Sequence, residues 1–375
     1  MSVHEIGRGI LQINLGVLAT NIKVARSLVS AHTRVMAVVK ANGYGHGIAD
    51  CGFAAVRAGA DMLGVATADE GAVLRKAGIT EPILIIGPII GPGIKGIVEA
   101  GLTVTVFSLD IAKKLSLAGG GKVHIKIDSG MNRVGFRVNN QQALEAACQE
   151  ILQIADLPNI QIEGIFSHFA SSDSNPDFTK EQFECFNNVI RRLEQLGLHI
   201  PIKHISNSGG VLNHPECNLD MVRIGVLMYG LAPCSTPEGA EKLAKMGILP
   251  ALRFKSSVGQ VKTIGAGESV GYGRSFVAER SMEVATIPLG YGDGISRQLS
   301  NKGYVMINGC KCPIIGSVCM DQFMVNVTGA NAVHGNEVTI IGQGVSAEDV
   351  AQLQGSINYE VATGLSQRIQ RQYKI

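Results

Sequence analysis

RVMAVVKANGYGHG, residues 34–47, runs five apolar residues, Val35 to Val39, straight into Lys40 and then into a turn carrying Gly43, Tyr44, Gly45, His46 and Gly47. A continuous apolar run of this length reads as a strand buried on both faces, as in parallel sheets. The glycines that follow allow a tight turn and a close backbone approach to a ligand. Lys40 at the end of such a strand is either an ordinary solvated lysine or an amine poised for covalent chemistry, and the stretch alone leaves both open.

The same grammar continues outward. Short apolar runs recur as MLGVAT (62–67), PILIIG (82–87), TVTVF (103–107), VHIKID (123–128), IQIEGIFS (160–167), HISN (204–207) and LDMVRIG (219–225), making eight candidate strands with the first. Amphipathic stretches lie between them, among them 68–78, 141–155 and 178–197. Strands alternating with helical crossovers predict a parallel sheet, and eight such units in a span near the ~250 residues typical of the class predict an α/β fold with a (β/α)₈ TIM-like barrel. After residue 247 the pattern changes to short runs such as SMEVATIPLG, YVMING, FMVNVTG and NEVTIIG, separated by Gly- and Asn-bearing turns. These predict a mainly antiparallel β domain over 248–375 with one late helix at SAEDVAQLQ, following a barrel domain over 1–247. The Pro- and Gly-punctuated stretch 233–250 reads as a linker.

With 375 residues, 46% hydrophobic and 17% charged, the chain can bury substantial cores. A formal net charge of +2 makes no electrostatic case for nucleic acid or an anionic membrane. The eight cysteines form neither a C-x-x-C pair nor a compact disulfide framework, and Cys310, Cys312 and Cys319 lack a histidine at ligand spacing. Reduced thiols, no metal and a cytoplasmic location are the expectation. Neither a signal-peptide pattern at the N-terminus nor a run long enough to span a bilayer is found, ILIIGPIIGPGI at 83–94 being short and broken by Gly and Pro. GPGIKG (91–96) is no complete P-loop, and GYGDG (290–294) lacks the setting of a dinucleotide fingerprint.

Barrels gather reactive groups at the C-terminal ends of their strands. Here those positions hold Lys40, Arg133, His168, Asn207 and Ser208, with Arg223 in the eighth run just before Gly225. Each type has a structural use as well: a solvated arginine, a core histidine, a capping serine. Phosphate sites of barrels favour the loops after strands seven and eight, where Ser208 and the Gly225–Val226 backbone lie, with Tyr44 able to reach in from the first loop. A phosphate opposite a strand-one lysine suggests pyridoxal phosphate, an aldehyde held as a Schiff base with its phosphate anchored.

AVVKANGYGHG (37–47), KIDSGMNRVGF (126–136), SHFA (167–170), NSGG (207–210), VRIGVLMYG (222–230), GYGRSF (271–276), IPLGYGDG (287–294), CMDQF (319–323) and INYEV (357–361) together closely resemble the alanine racemases, fold-type III pyridoxal-phosphate enzymes, over essentially the whole chain. The resemblance implies a two-base racemisation of L-alanine and D-alanine, with Lys40 carrying the cofactor and serving one face and Tyr272 of the partner chain serving the other. It implies a homodimer with shared sites and a supply of D-alanine for peptidoglycan. Arg223 then faces the pyridine nitrogen, supported by His168, and Arg133 lies near the phenolic oxygen and substrate. Asn207 joins the cofactor contacts. Tyr44, Ser208, Gly225, Val226 and Tyr359 cradle the phosphate, Tyr291, Met320 and Asp321 contact substrate, and Lys126 matches a lysine that is carbamylated in many members. The family also implies that the strand around ILQINL packs with the β domain. Rival readings are a serine or broad-specificity racemase, a barrel-only pyridoxal-phosphate homeostasis protein and a fold-type III decarboxylase; Tyr272, CMDQ and the order of the motifs favour the alanine racemase.

Overall fold

The computed structural model describes residues 7–90 and 93–375. The first two residues of GPGIKG therefore lie outside the described set. By contacts the chain forms two compact units: one comprises 19–43 and 48–228, and the other comprises the N-terminal residues through Leu18, 44–47 and 229–375.

The first unit is the barrel. Its strands, in chain order, are Arg34–Val38, Met62–Val65, Ile83–Ile85, Thr103–Val106, Gly121–Asp128, Ile160–Phe166, Ile202–His204 and Met221–Ile224. The first seven pair in parallel in chain order, and the eighth pairs in parallel with the first. Strands seven and eight meet through single hydrogen bonds, Asp220 N–H to the Lys203 carbonyl at 3.1 Å and Arg223 N–H to the Ser206 carbonyl at 3.0 Å, so the barrel is nearly closed. Seven of the eight predicted runs coincide with strands, and the remaining one, HISN (204–207), shares only His204 with the seventh strand, which lies earlier at Ile202–His204. Their Val- and Ile-rich, unalternating sequences suit a sheet covered on both faces, and Met62–Val65, Ile83–Ile85, Thr103–Val106 and Met221–Ile224 are buried throughout.

Helices start where capping chemistry permits. Asn140 accepts from Ala143 N–H at 2.8 Å to open Gln141–Ala155. Asn175 does the same for Phe178 N–H at 3.1 Å, with Pro176 at the first helical position, to open Pro176–Gln195. Inside the barrel Met36, Met62, Leu84, Ile202 and Met221 pack as one apolar cluster. Gly64 gives it room, since a Cβ there would lie 2.9 Å from Met36 Sδ.

The second unit is built on a nine-stranded, mainly antiparallel sheet. Gly9–Asn14 lies within it, antiparallel to Leu252–Ser257 and parallel to Gln370–Lys374. Residues 233–250, read from sequence as a linker, contain a helix at Pro237–Lys245 instead. Thr236 accepts from Gly239 N–H at 3.1 Å and Pro237 occupies the first turn, so the proline opens the helix. The late helix Ala347–Gln354 is present, and Asn358–Thr363 adds a second that the sequence pattern did not reveal. Among the described residues no helix is long and apolar enough to cross a membrane, and no group of three or more His, Cys, Asp or Glu could hold a metal ion.

Candidate active site

Lys40 follows the first barrel strand, and the backbone after it is left-handed: Ala41, Asn42 and Gly43 have φ of 52°, 54° and 61°. For the two non-glycine residues this conformation costs roughly 1–2 kcal/mol each, so something must hold the turn. Ala41 N–H donates to Glu70 Oε1 at 2.6 Å, Gly43 N–H to the Val39 carbonyl at 2.8 Å, and Ile48 N–H to Asn42 Oδ1 at 3.0 Å. Glu70 is itself fixed by a capping box with Thr67 and by Ala66 N–H at 2.7 Å. Burial, and then the charge of Arg133, lower the pKa of Lys40 against the opposing pull of Glu70. Its neutral amine is correspondingly easier to reach.

Arg223, on the eighth strand, is 3% exposed. It donates to the carbonyls of Ser167 and Ile205, both at 2.8 Å, to His168 Nδ1 at 3.0 Å and to His204 Nδ1 at 2.9 Å. The pairing of Arg223 with His168 expected from the sequence is therefore present. Burial, with Arg133 second, pulls Arg223 down to about 9, which still leaves it a cation at neutral pH. Burial and then Arg223 push His168 well below its usual value, so it stays neutral and accepts. Lys126 is buried with Nζ 4.4 Å from the Phe166 ring centroid. Its pKa falls well below the ordinary lysine value, through burial first and then the charges of Arg223 and Arg133. Lys40, Lys126 and Arg223 thus experience cationic fields inside one unit, which favours an anionic ligand.

Ser208 opens the short helix Ser208–Asn213, and its buried Oγ accepts from Gly225 N–H at 3.0 Å and Leu227 N–H at 3.4 Å. Two amides on the oxygen leave the hydroxyl proton to donate elsewhere. Val226 follows as the first residue of the turn Val226–Tyr229. Asn207 has a structural task, its Oδ1 accepting from Gly210 N–H at 2.9 Å and from the Ser172 hydroxyl at 2.8 Å.

Arg133 is exposed and lies in the barrel unit; the other remaining candidates belong to the second unit. Tyr44 is buried, with its ring 5.0 Å from that of Tyr229 and 6.4 Å from that of Tyr359. The Tyr359 hydroxyl donates to the Pro233 carbonyl at 3.4 Å. Tyr272, Met320 and Tyr291 are 75%, 54% and 45% exposed. Their loops are tied together: Ser317 Oγ donates to the Tyr272 carbonyl at 3.2 Å, Tyr291 N–H to the Cys319 carbonyl and Gly292 N–H to the Met320 carbonyl, both at 3.0 Å. Asp321 meets Arg368 at 2.9 Å and Arg8 at 3.4 Å, and the Arg368 hydrogen bond holds its carboxyl below the usual range.

Sequence reasoning missed Glu70, which holds the Lys40 turn, and His204 behind Arg223. It also missed His124, whose Nδ1 lies 2.8 Å from His204 Nε2. His124 stands two residues before Lys126 on one strand, so strict alternation puts both on one face.

Residues 13–233 match the family model "Alanine racemase, N-terminal domain" and residues 251–373 match "Alanine racemase, C-terminal domain". An alanine racemase of Methanococcus maripaludis is 38% identical, over 96% of this chain and 97% of its own. The alanine racemase of D-cycloserine-producing Streptomyces lavendulae superposes with a TM-score of 0.92 at 32% identity, covering 98% of this chain and 97% of that one. That of Bartonella henselae, solved with covalently bound pyridoxal phosphate, superposes with a TM-score of 0.88 at 26% identity, covering 98% and 100%. Full-length likeness in both units, joined to the ordered motifs and the cationic barrel residues, means that the chain belongs to the alanine racemase family of isomerases.

Proposed function

We propose that the chain interconverts L-alanine and D-alanine with pyridoxal phosphate, as a homodimer in the cytoplasm that supplies D-alanine for peptidoglycan. The observation that carries this reading is the full-length family match with Lys40 held after the first barrel strand and Arg223 in the last. Bound pyridoxal phosphate delocalises the electron pair left when the substrate's α-proton departs. Ser208 and the Gly225 and Val226 backbone, with Tyr44 and Tyr359, hold its phosphate. Support comes from the Ser208 hydroxyl, whose proton is left to donate once its oxygen accepts two amides, and from the cationic surroundings that an anion would relieve. Lys40 is its covalent anchor and the base on one face, the amine favoured by burial and Arg133.

Tyr272 of the partner chain moves the proton on the opposite face, and its 75% exposure suits a residue that works against another chain. Arg223 faces the ring nitrogen as a donor, and as a cation it disfavours a second proton there. Arg133 orients the phenolic oxygen and substrate. Tyr291, Met320 and Asp321 line the substrate side from the β unit. Lys126 suits carbamylation, because carbon dioxide adds to a neutral amine and burial with two arginines favours that form. The resulting carboxylate would offset the arginine charges. A panel of single-enantiomer amino acids followed by chiral chromatography tests the reading: conversion of alanine in both directions ahead of serine supports it, and cofactor binding without conversion of any amino acid overturns it.

A further inference from the structure

TIM-barrel interiors are ordinarily filled by layers of branched apolar side chains. This barrel follows that rule in its methionine-rich cluster and departs from it where His124, His204 and Arg223 are buried together. The backbone is shaped for the departure. Val123 pairs with Ile162 and His124 with Gly164, so the register shifts and Glu163 is the extra residue of a bulge, a device that re-aims a side chain. At Gly164 a Cβ would lie 2.5 Å from both Nδ1 and Cε1 of His124. A larger residue there would collide with the imidazole. His204 lies flat on Phe166, with centroids 4.7 Å apart and planes 4° apart, and edge-on to His124.

The order of protons follows from donor chemistry. A guanidinium only donates, so His204 Nδ1, 2.9 Å from Arg223, carries a lone pair. Neutral His204 then bears its proton on Nε2 and donates it to His124 Nδ1 at 2.8 Å. His124 in turn bears its proton on Nε2, which faces Glu163 Oε2 at 3.5 Å. Among the described residues neither of these last two atoms has a hydrogen-bond partner, so the two face each other as a charge contact. Burial keeps both histidines below their usual pKa, while the interaction with His124, followed by Lys122 at 2.6 Å, holds Glu163 down to about 2. The carboxylate therefore persists at neutral pH.

We propose that Glu163 is a remote positioning residue for Arg223: its carboxylate, facing His124 Nε2, holds the proton on that nitrogen, and the chain of hydrogen bonds from Arg223 to His204 and from His204 to His124 then fixes both tautomers and so the guanidinium's orientation. The functional consequence rests on Arg223 facing the cofactor ring, as proposed above; the chain itself does not.

The test uses full-length protein with labelled histidine, with and without cofactor, and reads tautomers from proton–nitrogen correlation spectra. Wild type should show His124 and His204 neutral and protonated on Nε2. A proton on Nδ1 of His204 in wild type overturns the proposal and needs no variant. Glu163→Gln keeps an acceptor for His124, whereas Glu163→Leu fills the space without one. The glutamine variant should retain the tautomers and a kcat within about threefold of wild type. The leucine variant should disorder the tautomers and lower kcat about tenfold with KM little changed, the loss of roughly one buried hydrogen bond's worth of positioning. Equal behaviour of the two variants in both readouts also overturns it. If wild type racemises nothing, the functional reading fails while the tautomer result still decides the chain.

Discussion

The candidate groups of the barrel unit and those of the β unit differ in how much of their environment the chain itself supplies. Lys126, Ser208 and Arg223 are buried, and the shifted groups near them owe their shifts to burial and to neighbouring charges of the same unit. Tyr272, Tyr291 and Met320 are exposed, on loops joined by hydrogen bonds to their backbone carbonyls. Chemistry in the barrel is tuned by desolvation, which a single chain can arrange. The β unit holds its residues in a defined geometry at a surface, and on the proposed reading a second chain completes them.

The largest effect should come from pairing one residue of each kind. Lys40→Ala and Tyr272→Phe homodimers should each lose about 10²–10⁴-fold in racemisation, the range for losing a positioned acid–base group. Reduction with borohydride and peptide mapping should place the cofactor on Lys40. A heterodimer of the two variants, isolated with two purification tags, should recover activity well above either parent, because one of its two sites carries both native residues. A folded, cofactor-loaded heterodimer without recovery would sink the idea that the exposed tyrosine serves the partner's barrel.

Stability should separate the same two classes. Arg223→Met leaves two carbonyls and two histidine nitrogens without their donor, at a cost of roughly 3 kcal/mol, lessened where removal of the cation relieves Lys126. Tyr272→Phe removes an exposed hydroxyl and should leave the Tm where it was. Denaturant titration of both variants checks the contrast, and equal destabilisation would break it.

Much of this was legible in the sequence because buried parallel strands are unbroken apolar runs; seven were recognisable as such, while Ile202–His204, only three residues with Lys203 at its centre, was displaced to HISN. The helix Pro237–Lys245 is hidden in the sequence because Pro and Gly punctuation reads as a loop, although Thr-Pro also opens helices. Gln370–Lys374, QRQYK, lies at the edge of its sheet and carries almost no apolar signal. In the site, Arg223 and His168 follow from position on a barrel. His124, His204 and Glu163 do not stand out, since each sits inside a run that reads as plain strand, and neither the bulge nor the role of Gly164 shows without the register.

Acid should reach the barrel before the β unit. His124, His168 and His204 have folded-state pKa values below the unfolded value near 6.5, so the unfolded chain takes up their protons first. Their contribution is intact above about pH 6.5 and is lost as pH falls below it. Glu163, held to about 2, adds a loss of the same sign from near its ordinary carboxylate pKa downward. Hydrogen exchange between pH 7 and 5 should show barrel amides opening first. First protection loss in the strands Met282–Ile287 and Phe323–Asn326 would contradict this.

The smallest effects should distinguish two aspartates within the β unit itself. Asp293 is buried, and its Oδ2 accepts from Gly290 N–H at 3.0 Å and from Arg8 at 2.9 Å, at the base of the turn that carries Tyr291. Asp321 is exposed and meets Arg368 and Arg8 in water, where such pairs are worth little. Asp293→Ala orphans a buried amide and should cost about 2 kcal/mol. It should also raise KM more than it lowers kcat, because it loosens Tyr291 without touching Lys40 or Arg223. Asp321→Ala removes the outer partner and a side chain lining the substrate side while Met320 keeps its backbone bond to Gly292, so Tm should hold and KM should rise less than for Asp293→Ala. If Asp321→Ala proved the more damaging of the two for KM, its carboxylate would have a direct part in binding substrate, and the exposed loops would depend on more than backbone geometry.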